Sequence, residues 1–128
     1  MKSLGISFGF VKIPVTDFAR STAFYRDVLG LEEQFAAAEY GWAQYDIDGT
    51  GLCLYQVGMG GGNATPGYDT GIQLRVNDGK AAHALITQRG GNAGKMDAGD
   101  DGTIAFTVTD PDGNKISVAQ LPAQEVEA

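Results

Sequence analysis

Residues 8–30 read FGFVKIPVTDFARSTAFYRDVLG, and this stretch decides the fold that the sequence predicts. Side chains alternate up to Val15, which indicates a strand with one buried face. Asp17 can then accept from the free amides of a first helical turn, and Gly30 can supply a left-handed C-cap. The helix between them is expected to pack back on the strand through four residues at helical spacing: Phe18, Thr22, Tyr25 and Leu29.

The same pattern occurs a second time, in residues 71–91, which read GIQLRVNDGKAAHALITQRGG. Asp78 and Gly91 repeat the spacing of the first capping Asp and Gly. The strands that follow repeat as well, because WAQYDIDGTGLCL from Trp42 aligns with FTVTDPDGNKISV from Phe106. Internal repeats indicate that one structural unit is used twice. We therefore predict two βαβββ modules.

One domain made of two modules is the expected organisation of the 128 residues. The modules span about residues 5–57 and 68–121, and a Gly-rich connector, residues 58–67, joins them. Units of about 50 residues are marginal alone, so we expect them to share a sheet or to pair across a dimer. No GK[ST] follows the connector, which favours a flexible link, or a flap over a pocket, over a phosphate-binding loop.

Composition excludes several classes of function. Nine basic residues stand against sixteen acidic ones, and the net charge of −7 disfavours nucleic acid as a partner. The start of the sequence is too short and polar for a signal peptide, and no run approaches a membrane span. The single cysteine, Cys53, excludes an intrachain disulfide. We expect a cytoplasmic protein with neither nucleic acid nor membrane as a partner.

Five motifs spread over nearly the whole chain carry a resemblance to a known family. They are Val15-x-Asp17, Ser21, Phe24-Tyr25, Leu29-Gly30-Leu31 and Asp110-Pro111-Asp112-Gly113-Asn114. Together they resemble the vicinal oxygen chelate superfamily, which includes glyoxalase I, extradiol dioxygenases, and fosfomycin and bleomycin resistance proteins. The resemblance implies an α+β fold in which two βαβββ modules form a paired, cup-shaped mixed sheet around a ligand. It also implies a homodimer.

The resemblance further implies four positions for metal ligands, on the first and last strands of each module. In this sequence they hold Phe10, Cys53, Gly71 and Ser117. Phe and Gly have no side-chain donor, and a thiol with a hydroxyl falls short of the three or four ligands of a catalytic site. His83, the only histidine, is expected inside the second helix. We expect no metal and no cofactor, as in the metal-free bleomycin resistance branch.

Strand alternation predicts which residues line the cup. Because the valines and the isoleucine of the first strand face the helix, Phe10 and Lys12 must face the cup. Gly71 and its alternate neighbours share a face in the second module by the same argument. Counting along the first hairpin places Trp42 opposite Cys53, with the next alternate residues on the same face.

The second hairpin completes the predicted lining. A Thr109–Asn114 pair at its turn would place Phe106 opposite Ser117 and on the same face. Burial of the two phenylalanines as plain core stays an open alternative. The predicted ligand-binding residues are Phe10, Lys12, Trp42, Gln44, Cys53, Tyr55, Gln73, Arg75, Phe106 and Ser117.

A metal-independent protein that binds a small organic compound is the function that these residues favour. The compound would be aromatic or cationic, such as an antibiotic or an aromatic metabolite, and stacking on aromatic side chains would hold it. The alternative is a lyase, isomerase or oxygenase of the same superfamily with a non-standard active site, in which Lys12, Tyr55 or Cys53 acts as acid or base. Whether the cavity lies within one chain or between two stays open.

Overall fold

A computed structural model describes residues 2–122, and its first module has the predicted βαβββ order. The sheet follows the order β1-β4-β3-β2, with β1 parallel to β4 and the other pairs antiparallel. The sheet is therefore mixed, as predicted. Its elements are β1 (Phe10–Val15), α1 (Phe18–Ala23), a π-helical turn (Phe24–Val28), β2 (Glu32–Ala37), β3 (Trp42–Ile47) and β4 (Thr50–Gln56).

The second module repeats this arrangement with one broken strand. Its sheet follows the order β5-β9-β8-β6, and β7 also pairs with β8, so two short strands share the place of β2. The parallel pair is again first with last, β5 with β9. The elements are β5 (Asp69–Arg75), α2 (Gly79–Gln88), β6 (Asn92–Ala93), β7 (Asp97–Ala98), β8 (Ile104–Thr109) and β9 (Lys115–Gln120). In the part of the chain that the structure describes, no helix is long and apolar enough to cross a bilayer.

The capping residues of the repeat start both helices. The carboxylate of Asp17 accepts from the Arg20 amide at 3.2 Å, and that of Asp78 accepts from the Ala81 amide at 3.0 Å. Gly30 has a φ of 70°, the left-handed conformation in which glycine ends a helix without steric cost. The first strand of each module is therefore followed at once by a helix.

The helix-facing sides of the two sheets share one hydrophobic core. Ile13 and Val15 of β1 belong to the same buried cluster as Val108 of β8 and Val118 of β9. Tyr25, in the π-helical turn, is fully buried in it, as its helical spacing predicts. The modules therefore bury their apolar faces together rather than separately.

A buried carboxylate joins the turn of the second module to the end of β1. Asp110 accepts from the Tyr25 hydroxyl at 2.7 Å, and from the Asn114 side chain and the amides of Asp112 and Asn114 at 2.9 Å each. The Asn114 side chain also donates to the Pro14 carbonyl at 2.9 Å. Buried polar groups need such partners, and these bonds fix the second module against the first.

Removal of the Tyr25 hydroxyl should weaken this junction. Burial, and next the charge of Asp110, raise the pKa of Tyr25 far above its ordinary value of 10.0. Folded Tyr25 keeps its proton where the unfolded chain loses it, so the free energy of unfolding should fall as the pH rises above about 10. In Tyr25→Phe that fall should be shallower by about 1.4 kcal/mol per pH unit, and stability at pH 7 should drop by about 1–3 kcal/mol.

Urea denaturation between pH 7 and 11 measures both effects. Tyr40→Phe is the matched control, because Tyr40 is 71% exposed, and it should keep the stability and slope of the unchanged protein. Equal stability and equal slope in Tyr25→Phe and the unchanged protein would contradict the role given to this hydroxyl.

Candidate functional site

Six predicted site residues share the side of the first sheet that faces away from the helices, called here the open face. Lys12 and Gln44 both pair with Cys53, and Trp42 pairs with Tyr55. Partners across a sheet project to the same side, so alternation along each strand defines the set. The six are Phe10, Lys12, Trp42, Gln44, Cys53 and Tyr55.

The floor of the open face is buried. Cys53 is fully buried, and its Sγ lies 3.6 Å from Oε1 of Gln44. The Gln44 amide in turn donates to Oε1 of Gln34 at 2.7 Å, which orients it. Burial raises the pKa of the Cys53 thiol, so this group is uncharged at neutral pH.

Two aromatic rings form a wall at the mouth of the open face. Phe10 and Trp42 meet edge to face, with centroids 5.4 Å apart and ring planes at 85°. This geometry suits the quadrupoles of the two rings and holds both side chains in place. Phe10 is nevertheless 51% exposed, so this pair offers apolar surface to solvent.

Lys12 lies beside the third aromatic ring and bonds to the connector. Its ammonium group donates to the Gly61 carbonyl at 2.7 Å and lies 5.1 Å from the centroid of the Tyr55 ring. Among the described residues, the cation forms no salt bridge. Lys12 therefore reaches a neutral acceptor and the face of a ring.

The connector covers Tyr55 through two glycines that sequence reasoning did not assign to the site. A Cβ added to Gly61 would lie 2.7 Å from the Tyr55 Cβ, and one added to Gly62 would lie 2.9 Å from Cε2 of the ring. The backbone can follow the ring this closely because neither residue has a side chain. The run of glycines in residues 58–67 was the signal, and the hypothesis of a flap agrees with this contact.

The predicted pairing of Trp42 with Cys53 is wrong by two residues. Trp42 pairs with Tyr55 because the hairpin is closed by a two-residue turn, Asp48 and Gly49, with φ values of 52° and 85°. Positive φ at both positions suits the twist of a two-residue hairpin. A shift of two residues leaves every side chain on its predicted face.

The predicted pairing of Phe106 with Ser117 is wrong by one residue, and this error moves Phe106 out of the site. Thr107 pairs with Ser117, whereas Phe106 pairs with Val118 and belongs to the core. Its ring meets His83 of α2 edge to face at 4.9 Å. His83 thus lies in the second helix, as predicted, and packs between that helix and the sheet.

The other predicted residues lie on the corresponding face of the second sheet. Gln73 pairs with Ser117, and Nε of Arg75 donates to Oε1 of Gln73 at 2.5 Å. Thr107, which takes the place predicted for Phe106, borders a shallow cavity of about 190 Å³ beside Ser117. Among the described residues, no hydrogen bond or aromatic contact joins this face to the open face of the first sheet. Gln73 lines a cavity of about 180 Å³ with Val11 and Gly51 of the first sheet, but none of the six open-face residues borders it. Within residues 2–122, these contacts do not join the two halves of the predicted set.

The residues at the four positions implied for metal ligands do not fit a metal site. Phe10 and Cys53 lie on the open face of the first sheet, whereas Gly71 and Ser117 belong to strands of the second sheet. Phenylalanine and glycine side chains provide no ligand atom. No group of three or more His, Cys, Asp or Glu side chains within residues 2–122 could hold an ion.

Comparisons with known proteins identify the family. A model of the Glyoxalase/Bleomycin resistance protein/Dioxygenase superfamily matches residues 7–118, and the chain belongs to this superfamily. No curated protein matches the chain significantly.

Solved structures share the fold over almost their entire length. A superfamily member from Sphaerobacter thermophilus is 26% identical, with a TM-score of 0.76 and coverage of 91% of this chain and 98% of the other. A glyoxalase/bleomycin resistance protein from Catenulispora acidiphila is 28% identical, with a TM-score of 0.72 and coverage of 91% and 100%. TnmS3, an antibiotic binding protein from Streptomyces sp. CB03234, is 23% identical, with a TM-score of 0.72 and coverage of 92% and 98%.

Thiol labelling should show that the floor of the open face is closed. Because Cys53 is fully buried and its pKa is raised, DTNB at pH 8 should label the native protein at least 100-fold more slowly than the urea-unfolded chain. Cys53→Ser, which removes the only thiol, is the blank. Rapid stoichiometric labelling of the native protein would contradict a closed floor.

Proposed function

We propose that this chain is a metal-independent binding protein that holds a small, flat organic compound on the open face of the first sheet. One observation carries the proposal: Phe10, Trp42 and Tyr55 border a buried floor, with Lys12 and Gln44 beside them. Aromatic surface with a few placed polar groups is typical of small-molecule sites. Stacking and apolar burial would supply affinity, and the polar groups would set orientation.

An antibiotic or an aromatic metabolite is the class of compound that we propose. TnmS3, which has the same fold, is an antibiotic binding protein. At 23% identity this relative supports the fold alone, so the ligand class rests on the aromatic side chains of the open face. Sequestration of such a compound requires no bond to be broken.

An enzyme of the same superfamily with a non-standard active site is the alternative. Metal chemistry has no evident place in it, since Phe10 and Gly71 stand where two ligands are implied. Acid–base chemistry by Lys12, Tyr55 or Cys53 would have to replace it. The raised pKa of buried Cys53 disfavours a reactive thiolate, so the binding protein is better supported.

We further propose that the protein works as a homodimer in which a second copy covers the open face. Within one chain, the two halves of the predicted site lie on separate faces. Apolar side chains also alternate along the segment before β1, and Leu4, Ile6 and Phe8 are 86%, 83% and 69% exposed. These three exposed apolar side chains of one segment, called here the apolar row, mark an interaction surface. A second copy would bury this row and bring the face of its second sheet, with Arg75, towards Phe10.

Replacement of Trp42 should weaken binding strongly without unfolding the protein. Trp42→Ala removes one ring of the wall, and we expect at least a tenfold loss of affinity for any compound that the unchanged protein binds. Because this substitution removes the only tryptophan, isothermal titration calorimetry is the measurement. Tyr40→Ala, at an exposed position outside the open face, should bind normally. An unfolded Trp42→Ala protein would mean that Trp42 is core, and unchanged affinity would place the ligand elsewhere.

Sedimentation velocity at micromolar concentration should show a particle of twice the 13.4 kDa of one chain. Ile6→Glu places a charge in the exposed apolar row and should shift the protein towards monomer. Leu85→Glu is the control, because Leu85 is 44% exposed on α2, outside the apolar row, and should leave the dimer intact. A monomeric unchanged protein, or equal effects of both substitutions, would contradict the proposed interface.

A further inference from the structure

We infer that the peptide of Gly61 and Gly62 occupies the ligand's place on the open face. The ligand is then a planar compound with a hydrogen-bond-accepting oxygen at its edge, and it binds by displacing this peptide from Tyr55 and Lys12. The inference rests on the proposed function and specifies its ligand class. It selects an aromatic carbonyl or carboxylate compound over the cationic compound that the sequence analysis had left open.

The first supporting observation is the closeness of the peptide to the ring. Positions of added Cβ atoms lie 2.7 Å from Cβ and 3.2 Å from Cγ of Tyr55 for Gly61, and 2.9 Å from Cε2 and 3.2 Å from the hydroxyl for Gly62. The two glycines thus follow the side chain from its base to its tip. Tyr55 is 3% exposed. The backbone of the two glycines therefore already covers the aromatic surface that a ligand needs.

The second observation is the bond between Lys12 and the peptide. The ammonium group donates to the Gly61 carbonyl at 2.7 Å, which is the geometry of a charge-assisted hydrogen bond. It also lies 5.1 Å from the ring centroid of Tyr55. A planar ligand with an edge oxygen would satisfy the same cation over the same ring. A cationic ligand would instead meet a like charge there.

The third observation is that few hydrogen bonds hold residues 58–66 of the connector in place. The Gly67 amide anchors the end of the connector on Oδ1 of buried Asn114 at 2.7 Å. Within residues 58–66, apart from the Lys12 bond, the backbone is held by the Gly58 amide on the Gly62 carbonyl at 3.1 Å and the Met59 amide on the Gln56 carbonyl at 3.2 Å. Residues 58–60 are exposed. Segments with few buried contacts open at low free-energy cost, so a ligand can compete with this peptide.

Two substitutions, Gly61→Ala and Lys12→Met, test the contact of the connector peptide with Tyr55 and Lys12. In Gly61→Ala, the new methyl group would lie 2.7 Å from the Tyr55 Cβ, so the connector must leave the ring. Its φ is outside the left-handed region, so alanine brings no backbone strain of its own. Lys12→Met removes the cation and keeps the apolar stem. Ala64→Ser changes an exposed residue of the same connector and is the matched control.

Hydroxyl-radical footprinting without any ligand tests the contact itself. Tyr55 should be modified several-fold faster in Gly61→Ala than in the unchanged protein, and Ala64→Ser should match the unchanged protein. Peptide mass spectrometry reads this residue separately from exposed Tyr40, whose rate should stay constant. Equal modification of Tyr55 in Gly61→Ala and the unchanged protein would overturn the inference.

Titration with two planar tricyclic probes tests the ligand class through Trp42 fluorescence. Anthraquinone-2-carboxylate carries edge oxygens, whereas proflavine is a cation without them. The anthraquinone should bind about tenfold more tightly to Gly61→Ala and about tenfold more weakly to Lys12→Met, with Ala64→Ser unchanged. Proflavine should bind more weakly than the anthraquinone to the unchanged protein.

The outcomes distinguish the inference from the proposed function. If anthraquinone-2-carboxylate binds saturably and with equal affinity to Lys12→Met and the unchanged protein, the inference is overturned. A higher affinity for proflavine would also overturn it. In both cases the proposed function as a binding protein would stand. Saturation by neither probe, in the unchanged protein and in Gly61→Ala alike, would overturn the proposed binding of flat aromatic compounds and the inference with it.

Discussion

The buried carboxylate of Asp110 is the interaction on which the arrangement of the two modules depends. A buried carboxylate is costly unless donors surround it, and here four neutral donors do so. One comes from Tyr25 of the first module and the others from the turn of the second. Because Asn114 of the same turn also holds the Pro14 carbonyl, the end of β1 is fixed against the second module. This strand carries Phe10 and Lys12, so the junction also positions the binding face.

Local signals in the sequence predict the elements and their order, but they leave the hairpin register open. The two hairpin turns have equal lengths in the sequence alignment. Ile47 pairs with Thr50 in the first hairpin, whereas Pro111, which aligns with Ile47, forms no pair in the second. Proline lacks an amide hydrogen, and the last pair of the second hairpin is Thr109 with Lys115, around a longer loop with Gly113 at a φ of 84°. A shift of one residue exchanges the faces of a strand, which is why Phe106 is core.

The candidate site divides in the same way into a predictable and an unpredictable part. Alternation alone places Trp42 and Lys12 on one face, and the structure has them there. The contact of Gly61 with Tyr55 could not be predicted, because it depends on where a loop without periodicity returns to the sheet. The glycine content of the connector shows that a close approach is sterically allowed, but not which ring is approached. Local alternation can therefore predict which residues share a sheet face, but it cannot predict which residue a loop contacts.

Binding without a metal is tested most directly by elemental analysis of the purified protein, followed on the same sample by a Trp42 fluorescence titration with aromatic antibiotics and anthraquinone-2-carboxylate. We predict less than stoichiometric metal and saturable quenching that survives treatment with EDTA, because Phe10 and Gly71 provide no ligand atoms and aromatic rings provide the contact surface. One tightly held Mn, Fe, Ni or Zn ion per chain, or loss of binding after chelation, would contradict a metal-independent site and favour an enzyme.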